Sequence, residues 1–170
     1  MNLDYKELIP ENFNDFSKVW IYQSNRMFLL SEALELENIL ENFCNSWNSH
    51  GTSVKGFATL LFGQFIILMA DETNTQVGGC STDSSIHAMK AIEKQFSVSL
   101  FDRQLLAFYV KDKIQTIPLT QLQYAIENNF VSQNTLYFNN LVSNKKDFMS
   151  QWIVPIKNSW LEKKLNSALT

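Results

Sequence analysis

A chain of 170 residues, 45% hydrophobic and 13% aromatic, is long enough for one globular domain that buries about two-thirds of its unfolded surface. Its net charge is −3, which argues against a general nucleic-acid binder, and its two cysteines, Cys44 and Cys80, are too few for a disulfide framework. No apolar stretch reaches the roughly 18 residues of a membrane-spanning helix.

The N-terminus, MNLDYKELIPENF, is acidic and lacks the basic-then-apolar pattern of a secretory signal, so a soluble cytoplasmic protein is expected. Residues 1–16 form a lead-in that packs through Leu8, Ile9, Phe13 and Phe16. Val19 to Gln23, rich in β-branched and aromatic residues, reads as a first strand. Ser31 then caps a helix to about Ser49, with Leu36, Leu40, Phe43 and Trp47 on one face and Gly51 as its stop. Phe57 to Leu61 is either a second strand, turned at Phe62-Gly63-Gln64, or the start of one long strand bent at Gly63.

The continuous apolar run Phe65 to Ala70 suits a strand covered on both faces and ends in Asp71-Glu72. Gly78-Gly79 allows backbone angles closed to other residues, and Ser81 or Asp83 can cap the next helix. That helix is expected over 84–95, with Ile86, Met89, Ile92 and Phe96 toward the core. Leu105 to Lys111 and Lys113 to Ile117 predict a hairpin near Asp112. Pro118 and Thr120 open a helix to about Phe130, with Leu122, Ile126 and Phe130 on one side. Thr135 to Phe138 is a short strand, and Asn144 with Asp147 predicts a capped helix through Trp152. Pro155 breaks it, after which Lys157 to Leu169 continues helically. Without strict βαβ alternation, the pattern predicts a single α+β domain with a mainly antiparallel sheet and three to five helices.

Charge is spread unevenly. Residues 1–83 carry 4 basic and 11 acidic groups, or −7, while 84–170 carry 10 and 6, or +4, as two complementary halves of one domain. Lys145, Lys146, Lys157, Lys163 and Lys164 form the one basic cluster, read as a solvated helix face rather than a nucleic-acid surface.

The candidate site is Phe65 to His87. Cys80 at a helix N-terminus would have its thiolate favoured by free amides and the helix dipole, with Ser81, Thr82, Ser84 and Ser85 around it. Only two of the 14 basic residues are arginine, Arg26 and Arg103. Planar guanidiniums fit bidentate bonding, either to Asp71, Glu72 or Asp102 in a structural network or to an anionic ligand. The expected ligand-binding set is Asp71, Glu72, Gly78, Gly79, Cys80, Ser81, Asp83, Arg26 and Arg103. In a nucleophilic reading Cys80 attacks, His87 is the base and Asp71 or Glu72 orients it. A zinc site from Cys44, His50, Cys80 and His87 lacks paired ligand spacing, so neither metal nor cofactor is expected.

WIYQSNR, WNSHG, the strand ending in ADE, GGCSTDSS, FDR and WIVPIKNSWL together resemble a family of short bacterial proteins, mostly uncharacterised, that carry the label "ABC transporter ATPase". The label implies a phosphate-cradling GxxxxGK[ST] loop, but none of the five glycines is followed by lysine. The expected function is therefore non-enzymatic binding of an anionic small molecule or a protein partner, with a cysteine-dependent hydrolase or transferase as the alternative. An adaptor role for Trp152 to Leu161, including a homodimer, would require an exposed apolar patch there.

Overall fold

The computed structural model describes residues 1–164. In chain order these form β1 (Lys18–Gln23), α1 (Leu30–Ser46), the small hairpin β2 (Asn48–Ser49) and β3 (Thr52–Ser53), β4 (Lys55–Leu61), β5 (Phe65–Asp71) and α2 (Gly79–Phe96). There follow β6 (Leu105–Val110), β7 (Lys113–Pro118), α3 (Leu122–Glu127), β8 (Leu136–Phe138), α4 (Lys145–Gln151) and β9 (Ile153–Pro155).

The apolar run Phe65 to Ala70 organises the rest. Phe62 and Gly63 both take positive φ, 54° and 66°, in a tight turn closed by the Gln64 N–H onto Leu61 C=O at 3.1 Å, so β4 and β5 are separate antiparallel strands joined by three residues. Strand β1 pairs along the other side from Lys18↔Ala70 to Gln23↔Phe65, giving the order β1-β5-β4. As the middle strand, β5 is buried at all seven residues. Its two faces go to different layers. Ile66, Leu68 and Ala70 pack with Leu36 and Leu40 of α1 and Met89 and Ile92 of α2. Phe65, Ile67 and Met69 pack with Ala107, Phe138, Phe148 and Trp152. Burying each large apolar side chain contributes about 1.5–3 kcal/mol, so the central strand anchors both layers.

The second sheet has the antiparallel order β7-β6-β8-β9. Its inner face meets β5; its outer face, Leu106, Phe108, Ile117 and Tyr137, is covered by Leu122 and Ala125 of α3 with Leu161. The fold is α+β with antiparallel sheets.

Several expected boundaries move. The N-cap of α1 is Leu29 rather than Ser31, because Glu32 accepts the Leu29 amide at 2.8 Å and draws the chain into the helix earlier. The helix stops at Ser46, and Trp47 to Ser53 form a hairpin turned at His50 and Gly51, both at positive φ. Helix α2 begins at Gly79, a full turn before residue 84, and its buried face is Ser81, Ser85, Met89, Ile92 and Phe96. Ile86 is only half-buried, since Ser81 and Ser85 take the positions nearest the core and turn their hydroxyls onto backbone carbonyls. Helix α3 ends at Glu127, with Asn129 at positive φ, leaving Phe130 exposed.

Asn144 caps α4 as its spacing to Asp147 predicted, accepting the Asp147 amide at 2.8 Å and donating to its carboxylate at 2.7 Å. Pro155 closes strand β9, which pairs with β8. Residues 162–164 are helical, and the part of the expected final helix beyond Lys164 lies outside the described residues. In the lead-in, Tyr5, Ile9 and Phe13 are buried, whereas Leu8 and Phe16 face solvent.

Candidate functional site

The structure separates the expected site into distinct surroundings. Asp71, at the tip of β5, is buried and accepts bonds from Lys55 Nζ at 2.9 Å, from the Thr73 hydroxyl and amide at 2.5 and 3.0 Å, and from the Asn14 amide at 3.3 Å. Burial alone would raise its pKa, but the Thr73 hydroxyl, the Lys55 ammonium and the two amides outweigh it and hold the carboxyl well below the usual range. Glu72 pairs with Lys18 Nζ at 3.0 Å and accepts the Val77 amide at 2.7 Å. Both carboxylates are therefore spent on fixing the strand end and the loop that follows.

Arg26 joins neither of them. Its guanidinium forks onto Glu32 at 2.7 and 2.9 Å and donates to the carbonyls of Phe96 at 2.6 Å and Met27 at 3.0 Å. The pair joins the end of β1 to the start of α1 and gives a C-terminal carbonyl of α2 a partner. Arg26 and the Leu29 amide hold the Glu32 carboxyl down at about 2.

The Gly-Gly-Cys turn is fixed by packing. Gly78 is the N-cap of α2 at φ −79°, an angle open to any residue, and a Cβ there would lie 3.2 Å from Nε2 of His50, a tight contact from which the imidazole would have to shift slightly. No side chain caps the helix, contrary to the roles expected of Ser81 and Asp83. The Ser81 hydroxyl donates to Asn48 O at 3.0 Å, and its carbonyl accepts from Trp47 Nε1 at 3.0 Å. Thr82, Ser84 and Ser85 donate to carbonyls of the same helix and its cap. Gly79, Cys80 and Asp83 are exposed.

Cys80 opens onto a shallow depression with Phe43, Ser46, Trp47, Asn48 and Ser84, without a histidine or carboxylate in its lining. His87 sits two helical turns on, about 10 Å along the axis, with Nδ1 2.7 Å from Asp83 O. The paired arrangement expected of Cys80 and His87 is not formed. The second cysteine, Cys44, is half-buried, and burial pushes its thiol up to about 11. Among the described residues no three His, Cys, Asp or Glu side chains gather to hold a metal ion.

Arg103 lies elsewhere, on a cleft of about 760 Å³ between the free side of β1, helix α2 and the second sheet. Trp20 and Tyr22 of β1, Thr82, Ile86 and Lys90 of α2, and Phe101 form one side. Leu105, Tyr137, Phe138, Leu141 and Trp160 form the other. The spacing of Thr82, Ile86 and Lys90, four residues each, places them on one helix face. Phe101 packs edge-on to Tyr22 with ring centroids 5.5 Å apart. Burial pushes the Tyr22 phenol up, offset in part by the Ser85 hydroxyl and the Arg103 guanidinium beside it.

Neither Arg103 nor Lys90 has a carboxylate partner among the described residues. Asp102, the one acid in the lining, accepts the Gln104 amide at 2.8 Å. At one end, Gln23 closes the cleft by donating to Leu105 O at 3.0 Å and accepting from Asn140 Nδ2 at 2.8 Å. Sequence reasoning found Arg103 but missed Lys90, Asn140 and Trp160, which sit far apart in the chain. Ile86, which the apolar spacing assigns to the core face, instead lines this surface half-buried, so no local pattern in the sequence marks it.

Of the basic cluster expected to be solvated, Lys146, Lys157, Lys163 and Lys164 are exposed, but Lys145 is not. Lys145 is only 7% exposed, its ammonium donating to the carbonyls of Pro10 at 2.9 Å, Glu11 at 3.2 Å and Phe13 at 2.7 Å. Nor is Trp152 to Leu161 an exposed apolar surface: Trp152, Ile156 and Leu161 are fully buried, and of the aromatic pair only Trp160 reaches solvent. No helix of the described residues is long and apolar enough to cross a membrane.

Fold and cleft together define an α+β protein in which two antiparallel sheets stack around a shared core and leave a slot beside one edge strand. No family model, curated protein or solved structure matches the chain.

Proposed function

We propose that the protein is a non-enzymatic binder whose cleft takes an anionic ligand with an apolar body. The observation that carries this reading is the pairing of aromatic walls with two cations, Lys90 and Arg103, that have no carboxylate partner among the described residues. The three acids that do hold a cation, Asp71, Glu72 and Glu32, lie outside the cleft lining. A volume of about 760 Å³ falls within the roughly 300–1,000 Å³ of small-molecule sites. Arg103 and Lys90 are both exposed to solvent, and a guanidinium binds a carboxylate or phosphate through two parallel hydrogen bonds.

Titration calorimetry with 2-naphthoate, against its neutral analogue 2-naphthamide, tests the reading. Naphthoate is expected to bind and naphthamide to bind at least tenfold more weakly, since a hydrogen bond to a charged group contributes about 1.5–3 kcal/mol. Arg103→Gln is expected to remove the difference, while Cys80→Ser leaves it unchanged. Equal affinity for the two compounds, or an Arg103→Gln protein that still discriminates, would refute anion binding at the cleft.

A further inference from the structure

The slot is bordered by backbone as well as side chains. Lys145 N–H donates to Ser17 C=O and Val19 N–H donates to Ser143 C=O, each at 2.9 Å, around the antiparallel bridge Lys18↔Asn144. Because amide direction alternates along a strand, residues 17, 19, 21 and 23 turn their N–H and C=O away from β5. On the other side Ser24 N–H reaches Gln64 C=O at 2.8 Å, which fixes the same alternation. The chain covers this edge only as far as Val19. Beyond it, the N–H and C=O of Ile21 and the N–H of Gln23 have no partner among the described residues.

We infer that the ligand of this cleft is an extended acidic peptide that adds a strand to β1 through the free backbone groups of Ile21 and Gln23. The assignment rests on the anion-binding reading above and names its ligand class. The slot lies where a further strand of the first sheet would run, between Thr82, Ile86 and Lys90 of α2 and Leu105, Tyr137 and Phe138 of the second sheet. An incoming strand would be sandwiched there as β5 is sandwiched between its own two layers. Its side chains would alternate. Those on the side of Tyr22 meet Lys90 and Arg103 and are acidic; those on the side of Ile21 meet Leu105 and Phe138 and are apolar. Main-chain bonds to Ile21 supply affinity, and the two cations set the preference for acid.

The test uses a bead-displayed heptapeptide library with glutamate fixed at the centre, and a second library with glutamine there. The glutamate library is expected to enrich sequences of alternating apolar residues that the glutamine library does not. For an enriched peptide, amide hydrogen exchange at Ile21 and Gln23 should slow on binding. Methylating the peptide nitrogen that faces Ile21 should weaken binding roughly tenfold for the lost bond, with the protein itself unaltered. Arg103→Gln should bring the glutamate peptide to the affinity of its glutamine counterpart. Absence of enrichment, binding that N-methylation leaves unchanged, or a free protein that is a dimer with Ile21 already protected would each overturn the assignment. If 2-naphthoate binds through Arg103 while no peptide slows exchange at Ile21, the peptide assignment falls and the anion-binding reading stands. If neither binds, both fall.

Discussion

Replacing Lys145 with methionine tests whether one buried ammonium holds the N-terminal segment in place. The methionine keeps most of the volume and the flexible stem but removes three donors from the carbonyls of Pro10, Glu11 and Phe13. Three charge-assisted bonds of about 1.5 kcal/mol each would total roughly 4–5 kcal/mol. Against this, the wild type bears the desolvation cost of an ammonium with no carboxylate beside it, several kcal/mol before its hydrogen bonds offset it. The expected net loss is therefore about 2 kcal/mol, most of it from carbonyls left to find water. The loss should be localised first. Residues 5–13 contribute Tyr5, Ile9 and Phe13 to the core around Phe148 and Trp152, so their amides should exchange faster in the variant before the rest of the chain responds. Urea unfolding measures the total and hydrogen exchange its location. A Lys145→Met protein as stable as wild type within about 0.5 kcal/mol, with unchanged exchange over 5–13, would show that side-chain packing alone holds the segment.

Glu32 has its folded pKa held near 2 against an ordinary 4.5, so its contribution is complete above about pH 4.5 and disappears as pH falls toward 2. Glu32→Gln is expected to flatten the loss of stability over that window, measured by urea unfolding at successive pH values; an unchanged slope would refute the linkage. Gly56→Ala would place a Cβ 2.9 Å from Cε3 of the buried Trp47, so a loss of about 1–3 kcal/mol and a shifted tryptophan emission are expected. Iodoacetamide near neutral pH should label exposed Cys80 well before half-buried Cys44, whose thiol burial raises to about 11, and peptide mapping by mass spectrometry reads the order.

What was legible in the chain was whatever depends on neighbours in sequence. The central apolar run, the hairpin near Asp112 and the Asn144 cap each arise from local periodicity or local bonding, and each appears close to where it was expected. The α+β class followed from their mixture. What escaped depends on distant partners. The early start of α1 comes from Glu32 serving Arg26 and the Leu29 amide at once, and nothing in the helical pattern marks that competition. Lys145 reads as a surface lysine until the carbonyls of residues 10–13 are brought to it from more than 130 positions away. The candidate site failed for the same reason: Arg26, Arg103 and the acidic pair are each rare or well placed in sequence, but the sheet sends them to three different regions. Strand β9 was hidden by Pro155, which closes the strand and ends helical continuation equally well.

The complete burial of β5 has a consequence for the chain before it folds. Phe65 to Ala70 is a six-residue, β-prone stretch without charge, proline or glycine, and in the folded protein both of its edges and both of its faces are occupied. During synthesis or refolding it is a segment prone to intermolecular pairing, flanked by Gln64 on one side and by Asp71 and Glu72 as gatekeepers on the other. The tight turn at Phe62 and Gly63 gives it an early local partner in β4, while β1 must arrive from more than 40 residues upstream, so the speed of that second pairing sets how long one sticky edge stays open to other chains.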